Sequence, residues 1–232
     1  LMIAGWCLAA DKTKMSKSKG NVVTPVALIR EKGADAVRYW ASTSRLGADT
    51  AFSEDALKIG RKLVTKLWNA ANFVALQLQT LESAPPIAPT APLDKWILSR
   101  LSRALEKADV EFARFEYCDA RLAIEDFFWN DFCDNYLELV KLRAYAGDAS
   151  AFSALYHCLH AVLRAFAPFV PHVTEEIWQH LFSGQGSIHA RGRWPDHAAY
   201  PLDDAAEAHG KAALEVLNAI RKLVALNLAL GV

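Results

Sequence analysis

Residues 14–21 read KMSKSKGN, a short stretch of lysine, serine and glycine that stands just before a predicted helix. Lys14 and Lys17 place two positive charges three residues apart, and lysine binds phosphate as a point charge. The serine hydroxyls beside them can donate hydrogen bonds to phosphate oxygens, and Gly20 allows a turn that other residues resist. The stretch therefore predicts a loop that holds mobile positive charge over a polyphosphate. A solvated basic loop is the alternative interpretation.

Extended and helical patterns flank this loop. Residues 3–9 are predicted to form a strand, and a polar turn follows at residues 11–13. Pro25 comes directly after Thr24, which is typical of the start of a helix. The amino end does not show the pattern of a signal peptide, which is a charged segment followed by an apolar run. We interpret the chain as a fragment of a longer protein, cut within the strand.

Short elements and one long helix are predicted up to residue 84. Residues 26–31 form a brief helix, a second helix begins at residue 34, and a turn and short strand occupy residues 47–52. The long helix runs from about residue 53 to residue 81. Its predicted buried stripe, at helical spacing, consists of Ile59, Leu63, Leu67, Ala70 and Val74.

A proline-rich linker separates this part from the rest. Residues 84–92 read APPIAPTAP, and four prolines in nine residues sustain neither a helix nor a sheet ladder. The chain after the linker has helical periodicity, with Asp94 as the predicted N-cap of the first helix. Further helices are predicted over residues 118–145, 149–166, 172–182 and 203–226.

Short connections between these helices predict an antiparallel bundle. Residues 167–171, APFVP, break two of its helices apart, and a short strand is predicted at residues 227–232. Aromatic residues are expected in the bundle core. The expected core residues are Ile97, Leu101, Leu105, Ala108, Phe112 and Phe115 on the first helix and Phe127, Phe128, Trp129 and Phe132 on the second.

Composition limits the class of protein. The 232 residues carry 26 Lys+Arg and 26 Asp+Glu, so nucleic-acid binding would have to come from a local patch rather than from net charge. The four cysteines have no metal-ligand spacing, which indicates free thiols and a reducing, cytoplasmic setting. No membrane-spanning run is present, and we predict no metal site and a monomer.

Four stretches resemble the class I aminoacyl-tRNA synthetases. Residues 14–18, KMSKS, resemble the signature loop of that family, and residues 33–39, GADAVRY, resemble the helix after it. Residues 67–74, LWNAANFV, resemble the end of the long helix in the valine, isoleucine and leucine subgroup, and residues 168–178, PFVPHVTEEIW, resemble the last long helix of the anticodon-binding bundle. Residues 46–54 and 66–74 are most similar to the valyl members, while the isoleucyl and leucyl members stay as alternatives.

The resemblance implies a mainly α fold. Residues 1–25 would end the Rossmann catalytic domain, residues 26–84 would form a small α/β stem-contact segment, and residues 85–92 would be the linker. The anticodon-binding helical bundle would cover residues 93–200, with a helix and strand extension at residues 201–232.

The resemblance also implies the chemistry. Such enzymes activate an amino acid, here valine, with ATP and Mg²⁺ and transfer it to tRNA, and fixed cations lower the barrier as charge builds on the leaving phosphates. Lys14 and Lys17 would be catalytic, and the ATP-binding set would be Lys14, Met15, Ser16, Lys17 and Ser18. The family's His-x-Gly-His element, amino-acid pocket and editing domain have no counterpart in these residues, so we expect the chain alone to be inactive.

Binding of tRNA is the task that we expect the chain to retain. A row of Lys and Arg tracks phosphates, and an Asn–Phe pair can read and stack an unpaired anticodon base. The predicted tRNA-binding residues are Lys58, Arg61, Lys62, Lys66, Asn72 and Phe73. The alternatives are a solvated helix face with Phe73 in the core and a derived, non-catalytic bundle that binds proteins.

Overall fold

The computed structural model describes residues 3–79 and 83–230 and confirms the mainly α fold. Two short strands and a run of helices follow one another along the chain. The strands are β1 (Cys7–Leu8) and β2 (Thr50–Ala51). The helices are α1 (Pro25–Lys32), α2 (Ala34–Ala41), α3 (Glu54–Leu78), α4 (Pro92–Ala113), α5 (Tyr117–Asp126), α6 (Leu137–Tyr145), α7 (Ala149–Phe166), α8 (Pro171–Leu181), α9 (Ile188–Arg191) and α10 (Asp204–Leu230).

The two strands join the amino end to the turn before α3. They run parallel, with Cys7 opposite Thr50 and Leu8 opposite Ala51. The predicted strand at residues 3–9 is therefore real but shorter than expected. Gly5 is required at this crossing, because a Cβ there would lie 2.0 Å from the carbonyl oxygen of Ala48.

Helix α3 packs one face on α2 and on the bundle. The predicted buried stripe is right at its last four positions but wrong at Ile59, which is 44% exposed. Gly60 is buried in its place, since a Cβ on Gly60 would lie 2.8 Å from the Cβ of Tyr39. The buried face of α3 therefore includes Gly60, which lets α2 approach closely. A count of hydrophobic residues does not reveal this, because glycine has no side chain.

The bundle core is aromatic and lies around the second predicted helix. That helix is continuous from α5 to α6, but residues Phe127–Tyr136 between them are π-helical, which periodicity did not predict. Phe127, Phe128 and Phe132 are buried as expected. Trp129 is only half-buried and lies beside α3, so its assignment to the core is wrong in part.

Phe115 and Asp94 differ from their predicted roles. Phe115 is 58% exposed, because α4 ends at Ala113 and Phe115 takes a left-handed φ of 64° just beyond it. Asp94 is not the N-cap of α4, which is Ala91. Asp94 lies inside the first turn and is fully buried, where it serves as a hydrogen-bond acceptor for three other elements.

The segment before α4 is irregular, as predicted, yet it is held against α7. The backbone N–H groups of Thr90 and Ala91 donate to the Ser150 hydroxyl at 2.9 and 3.3 Å. The Ser153 hydroxyl donates to the Pro86 carbonyl at 2.7 Å. The prolines thus prevent a helix or strand in this segment. Serine hydroxyls on α7 form hydrogen bonds with the backbone groups that are left without a partner.

The predicted strand at residues 227–232 is wrong for residues 227–230, which continue α10, while residues 231–232 lie outside the described residues. Leucine and alanine are strong helix formers and extend the helix that precedes them. Near its start, α10 is tied to α4 by Glu207, which accepts from Ser99 and Arg103.

Replacing Asp94 tests the buried polar centre of the bundle. Its two carboxylate oxygens accept from Arg143 at 2.8 and 2.6 Å, from the Tyr136 hydroxyl at 2.7 Å and from the Ser150 hydroxyl at 2.6 Å. Asp94→Ala should lower the free energy of unfolding by about 3–5 kcal/mol, because it leaves the buried hydroxyls of Tyr136 and Ser150 without this acceptor and removes one of the two carboxylates that pair with Arg143, which keeps Asp148.

Urea unfolding measures this loss. Lys141→Ala is the control, since it removes an exposed pair with Glu138 and should cost no more than about 1 kcal/mol. Equal losses in the two variants would contradict the assignment.

Burial of His160 is expected to make the stability of the protein depend on pH. Its ring stacks on Tyr156 and lies 4.8 Å from the ring of Trp178, and this burial lowers the pKa of His160 to about 4. Between the ordinary pKa near 6.5 and about 4, the unfolded chain binds a proton that the folded chain does not. Stability should therefore fall as the pH falls through this window.

His160→Gln should remove that part of the pH dependence, because glutamine does not titrate. Between pH 7 and pH 4.5 we expect wild type to lose about 2–3 kcal/mol more unfolding free energy than the variant. Urea titrations at several pH values measure both curves, and parallel curves would refute the role of His160.

Candidate functional site

The loop at residues 14–20 is organised by one amide side chain. Asn21 accepts a hydrogen bond from the backbone N–H of Ser16 at 2.8 Å, and it donates to the Thr13 hydroxyl and the Lys14 carbonyl. Residues Lys17–Lys19 form one 3₁₀ turn that ends at Gly20, whose φ is 66°. The turn expected at Gly20 is confirmed, and Asn21 holds the loop on its other side through these hydrogen bonds.

The charges on this loop face solvent. The Lys14 ammonium lies 4.3 Å from the centre of the Trp6 ring, a cation–π contact that holds it beside β1. Lys17 is exposed, and no ion-pair partner for it occurs within residues 3–79 and 83–230. The hydroxyls of Ser16 and Ser18 share a 2.8 Å hydrogen bond that closes the loop. The loop thus presents a free ammonium on a short, ordered turn.

Helix α2 ties this loop region to the bundle. Both Asp35 carboxylate oxygens accept backbone N–H groups at the start of α8, from His172 at 3.1 Å and Val173 at 2.7 Å. The Arg38 guanidinium donates to the Pro168 carbonyl at 2.7 Å. The two family-like stretches at residues 33–39 and 168–178 are therefore partners in one contact.

A buried polar group one turn further along the same face of α2 completes that contact. The Tyr39 hydroxyl donates to Glu125 at 2.9 Å, and Glu125 pairs with Arg121. Burial raises the pKa of Tyr39, so its hydroxyl stays a donor. The Arg121 guanidinium lies 4.5 Å from the centre of the Tyr39 ring. These contacts fix the position of α2, and with it α3, against the bundle.

The exposed face of α3 forms a basic groove. We define the basic groove as the surface depression of about 540 Å³ between α3 and the π-helical segment. Its lining residues are Lys58, Arg61, Lys62, Thr65, Lys66, Asn69 and Trp129. Four of these side chains are cationic and one is an aromatic ring, which is the combination that binds a phosphate backbone and an unpaired base.

The four predicted basic residues of α3 all line this groove, but they differ in their pairing. Lys58 pairs with Asp55 at 3.0 Å, and Lys66 pairs with Asp134 at 2.9 Å. Arg61 and Lys62 are exposed and have no ion-pair partner in the part of the chain that the structure describes. Arg61 and Lys62 are thus the cations most readily available to a phosphate.

Asn72 and Phe73 lie one to two turns further along α3. Asn72 is exposed, whereas Phe73 is half-buried against the core and meets the Tyr145 ring edge-on at 6.3 Å. Sequence reasoning missed Tyr145, which is 66% exposed, and it missed the groove residues Asn69 and Trp129. A helix-period count along α3 would have found Asn69, while the other two come from distant elements.

Other basic residues are held within the protein. Arg100 pairs with Asp131 and Arg143 pairs with Asp94. The remaining pairs are Arg103 with Glu207, Arg121 with Glu125 and Lys141 with Glu138. These five residues are therefore engaged in ion pairs within the protein.

Two kinds of site do not occur among the residues that the structure covers. No three His, Cys, Asp or Glu side chains of residues 3–79 and 83–230 come together in a group that would hold a metal ion. None of the described helices is long and apolar enough to cross a membrane.

Two family models match the chain. The model described as "Anticodon-binding domain of tRNA ligase" matches residues 94–228, which contain the bundle and α10. The model described as "tRNA synthetases class I (I, L, M and V)" matches residues 1–53, which contain the loop and α2. The two matches lie on either side of α3.

Curated relatives match the chain over nearly its full length. It is 53% identical over 228 residues to a valine–tRNA ligase of Anaplasma marginale (strain St. Maries), covering 96% of the chain and 27% of that protein. It is 49% identical over 230 residues to a valine–tRNA ligase of Wolbachia pipientis wMel, covering 98% of the chain and 26% of that protein. The chain spans about a quarter of the length of these relatives.

A solved structure has the same fold. It is the agnB2 LeuRS of Agrobacterium radiobacter K84 in a ternary complex with tRNA and LeuAMS. The match has a TM-score of 0.66 and 23% sequence identity, and it covers 88% of this chain and 24% of that chain. At this identity the likeness supports the fold.

Asn21→Ala tests the organisation of the loop. The variant loses the acceptor for the Ser16 N–H, and a hydrogen bond worth about 1 kcal/mol corresponds to roughly fivefold faster amide exchange there. Hydrogen exchange with mass spectrometry should show the increase confined to residues 14–20, with the unfolding midpoint of the bundle unchanged. Thr24→Ala is the control, since its side chain makes no capping bond. Exchange equal to wild type in Asn21→Ala would contradict the role of Asn21.

Proposed function

The chain belongs to the class I tRNA synthetases of the isoleucine, leucine, methionine and valine group, and we propose that it is the tRNA-binding part of a valine–tRNA ligase together with the ATP signature loop. The observation that carries this proposal is the basic groove on α3, which adjoins a bundle that matches the anticodon-binding model. Valine is favoured over isoleucine and leucine by the identities of 53% and 49% to valine–tRNA ligases.

The groove explains how a chain with no net charge binds a polyanion. Four cations are gathered on one helix face, and several carboxylates elsewhere, among them Asp131 and Asp94, pair with arginines of the protein. Arg61 and Lys62 bind phosphates of the tRNA backbone. Asn72 and Phe73, further along α3, contact an unpaired base of the anticodon loop. Tyr145 extends that aromatic end.

The loop acts on ATP in the complete enzyme. When the amino-acid carboxylate attacks the α-phosphate, the bond to pyrophosphate breaks and negative charge builds on the leaving phosphates. The Lys17 ammonium binds that charge, and Lys14 joins it by leaving the Trp6 ring. Mg²⁺ enters with ATP, since this ion is commonly held through substrate phosphates. Residues outside this chain supply the valine pocket.

Arg61→Ala combined with Lys62→Ala tests tRNA binding by the chain. We expect weaker binding to a valine tRNA transcript, and the slope of log Kd against log salt should fall by about 1.5 because two phosphate contacts are lost. Fluorescence anisotropy at several salt concentrations measures both quantities.

The matched control removes the same charge from the carboxyl-terminal end of α4 and the residue that follows it. Lys107→Ala with Arg114→Ala lies outside the groove and should leave the salt slope near that of wild type. Equal effects of the two double variants would contradict a specific groove. Wild-type binding that does not depend on salt would favour the alternative of a derived, non-catalytic bundle that binds proteins.

Lys17→Ala tests the loop in the complete ligase. Loss of one preorganised cation should lower valine-dependent pyrophosphate exchange by about 10²–10³-fold. Lys19→Ala is the control, because Lys19 is equally exposed and lies two residues away. A similar loss in both variants would indicate general basicity of the loop rather than a specific role for Lys17.

A further inference from the structure

The groove contains one aromatic side chain, Trp129, which comes from the π-helical segment. π-Helical turns are rare and recur at functional sites, and this one carries Trp129 to the exposed face of α3. Its neighbours Phe127 and Phe128 point into the core and are at most 2% exposed. The segment thus divides its aromatic residues, with Phe127, Phe128, Phe132 and Tyr136 in the core and Trp129 half-exposed in the groove.

The indole of Trp129 has an unused donor. Trp40, Trp178 and Trp194 donate their indole N–H to protein oxygens. The Trp129 N–H has no acceptor among residues 3–79 and 83–230, and it is not among the fully buried unpaired atoms. The indole N–H groups of Trp6, Trp68 and Trp96 likewise have no acceptor among the described residues. Because Trp129 is half-exposed, its N–H can donate to water and is free to donate to a ligand in the groove instead.

Lys66 covers the ring. Its ammonium lies 5.3 Å from the centre of the Trp129 ring and 2.9 Å from an Asp134 carboxylate oxygen. Asp134 is half-exposed, so the pair is solvated and weak. A phosphate in the groove would compete with Asp134 for this ammonium, and Lys66 would leave the ring free as it turned to the phosphate.

We propose, on the basis of the proposed tRNA binding, that Trp129 is a stacking site for one unpaired nucleobase, which Lys66 covers until an RNA phosphate draws it away from Asp134. The base lies on the indole where the ammonium lay, and the indole N–H donates to the same nucleotide. Lys66 moves with its proton, so no covalent step is involved. The site requires an unpaired base, since a paired base cannot reach the ring.

Trp129→Leu and Trp129→Phe test the stacking with this chain and a hairpin RNA that has the valine anticodon stem and loop. Stacking on an aromatic side chain corresponds to about 5- to 150-fold in Kd, which is about 1–3 kcal/mol. We expect a loss in that range for Trp129→Leu, with an unchanged salt slope because no phosphate contact is removed. Trp129→Phe should recover most of the affinity. Equal affinity of Trp129→Leu and wild type would overturn the proposal.

2-Aminopurine placed at successive loop positions gives a second readout. In wild type, one position should be quenched on binding, and this quenching should disappear in Trp129→Leu. If Trp129→Leu is poorly folded by circular dichroism, Trp129→Phe decides. Quenching in Trp129→Phe at the wild-type position supports the site, and quenching at no position in wild type overturns it.

Asp134→Asn tests whether Asp134 holds Lys66 over the Trp129 ring. Removing the carboxylate that holds Lys66 should tighten hairpin binding severalfold, whereas Asp126→Asn makes the same charge change outside the groove and should do less. Equal gains in the two variants would overturn the exchange of Lys66.

These outcomes separate the two proposals. If Arg61→Ala with Lys62→Ala weakens binding but Trp129→Leu does not, the proposed tRNA binding stands and the stacking site falls. If wild type does not bind the hairpin at all, both fall.

Discussion

One constraint organises the structure: the 25-residue helix α3 must bury one face completely while its opposite face stays free. The buried face begins at Leu57, passes Gly60, where α2 approaches too closely for any side chain, and continues through Leu63, Leu67 and Val74. Since side chains on a helix alternate between faces with a period of 3.6, this burial fixes where Arg61, Lys62 and Asn72 point. The basic groove is thus a consequence of the core.

The position of α3 depends in turn on α2, and α2 is held by polar contacts. Asp35 caps α8, Arg38 binds the carbonyl of Pro168, and Tyr39 reaches Glu125. Such contacts have directions, so they define how the helices meet more narrowly than apolar packing does. They also connect the loop at residues 14–20, through α1 and α2, to the bundle.

Elements that depend on local pattern were predicted well from the sequence. Prolines and apolar spacing located α7 to the residue and α8 to within one residue at each end. Most errors occurred where a residue distant in sequence determines whether a position is buried. Gly60 is buried instead of Ile59 because Tyr39 packs against it. Asp94 is buried because Arg143 donates hydrogen bonds to it. At Phe115, a left-handed turn ends the helical spacing.

The candidate site follows the same division. The loop and the basic row on α3 are continuous in sequence, so spacing and resemblance revealed them. Trp129 and Tyr145 reach this face from other elements, and only the packing of α3 on the bundle brings them there. Trp129 was assigned to the core together with its aromatic neighbours, and the π-helical segment instead brings it to this face.

We propose that the free face of α3 and the adjoining bundle read the anticodon of a tRNA. Binding of this chain to valine tRNA transcripts with the natural anticodon and with its middle base changed, at two salt concentrations, tests this reading. We expect binding that weakens with salt and weakens further with the base change. Binding that is equally strong for both transcripts would contradict it.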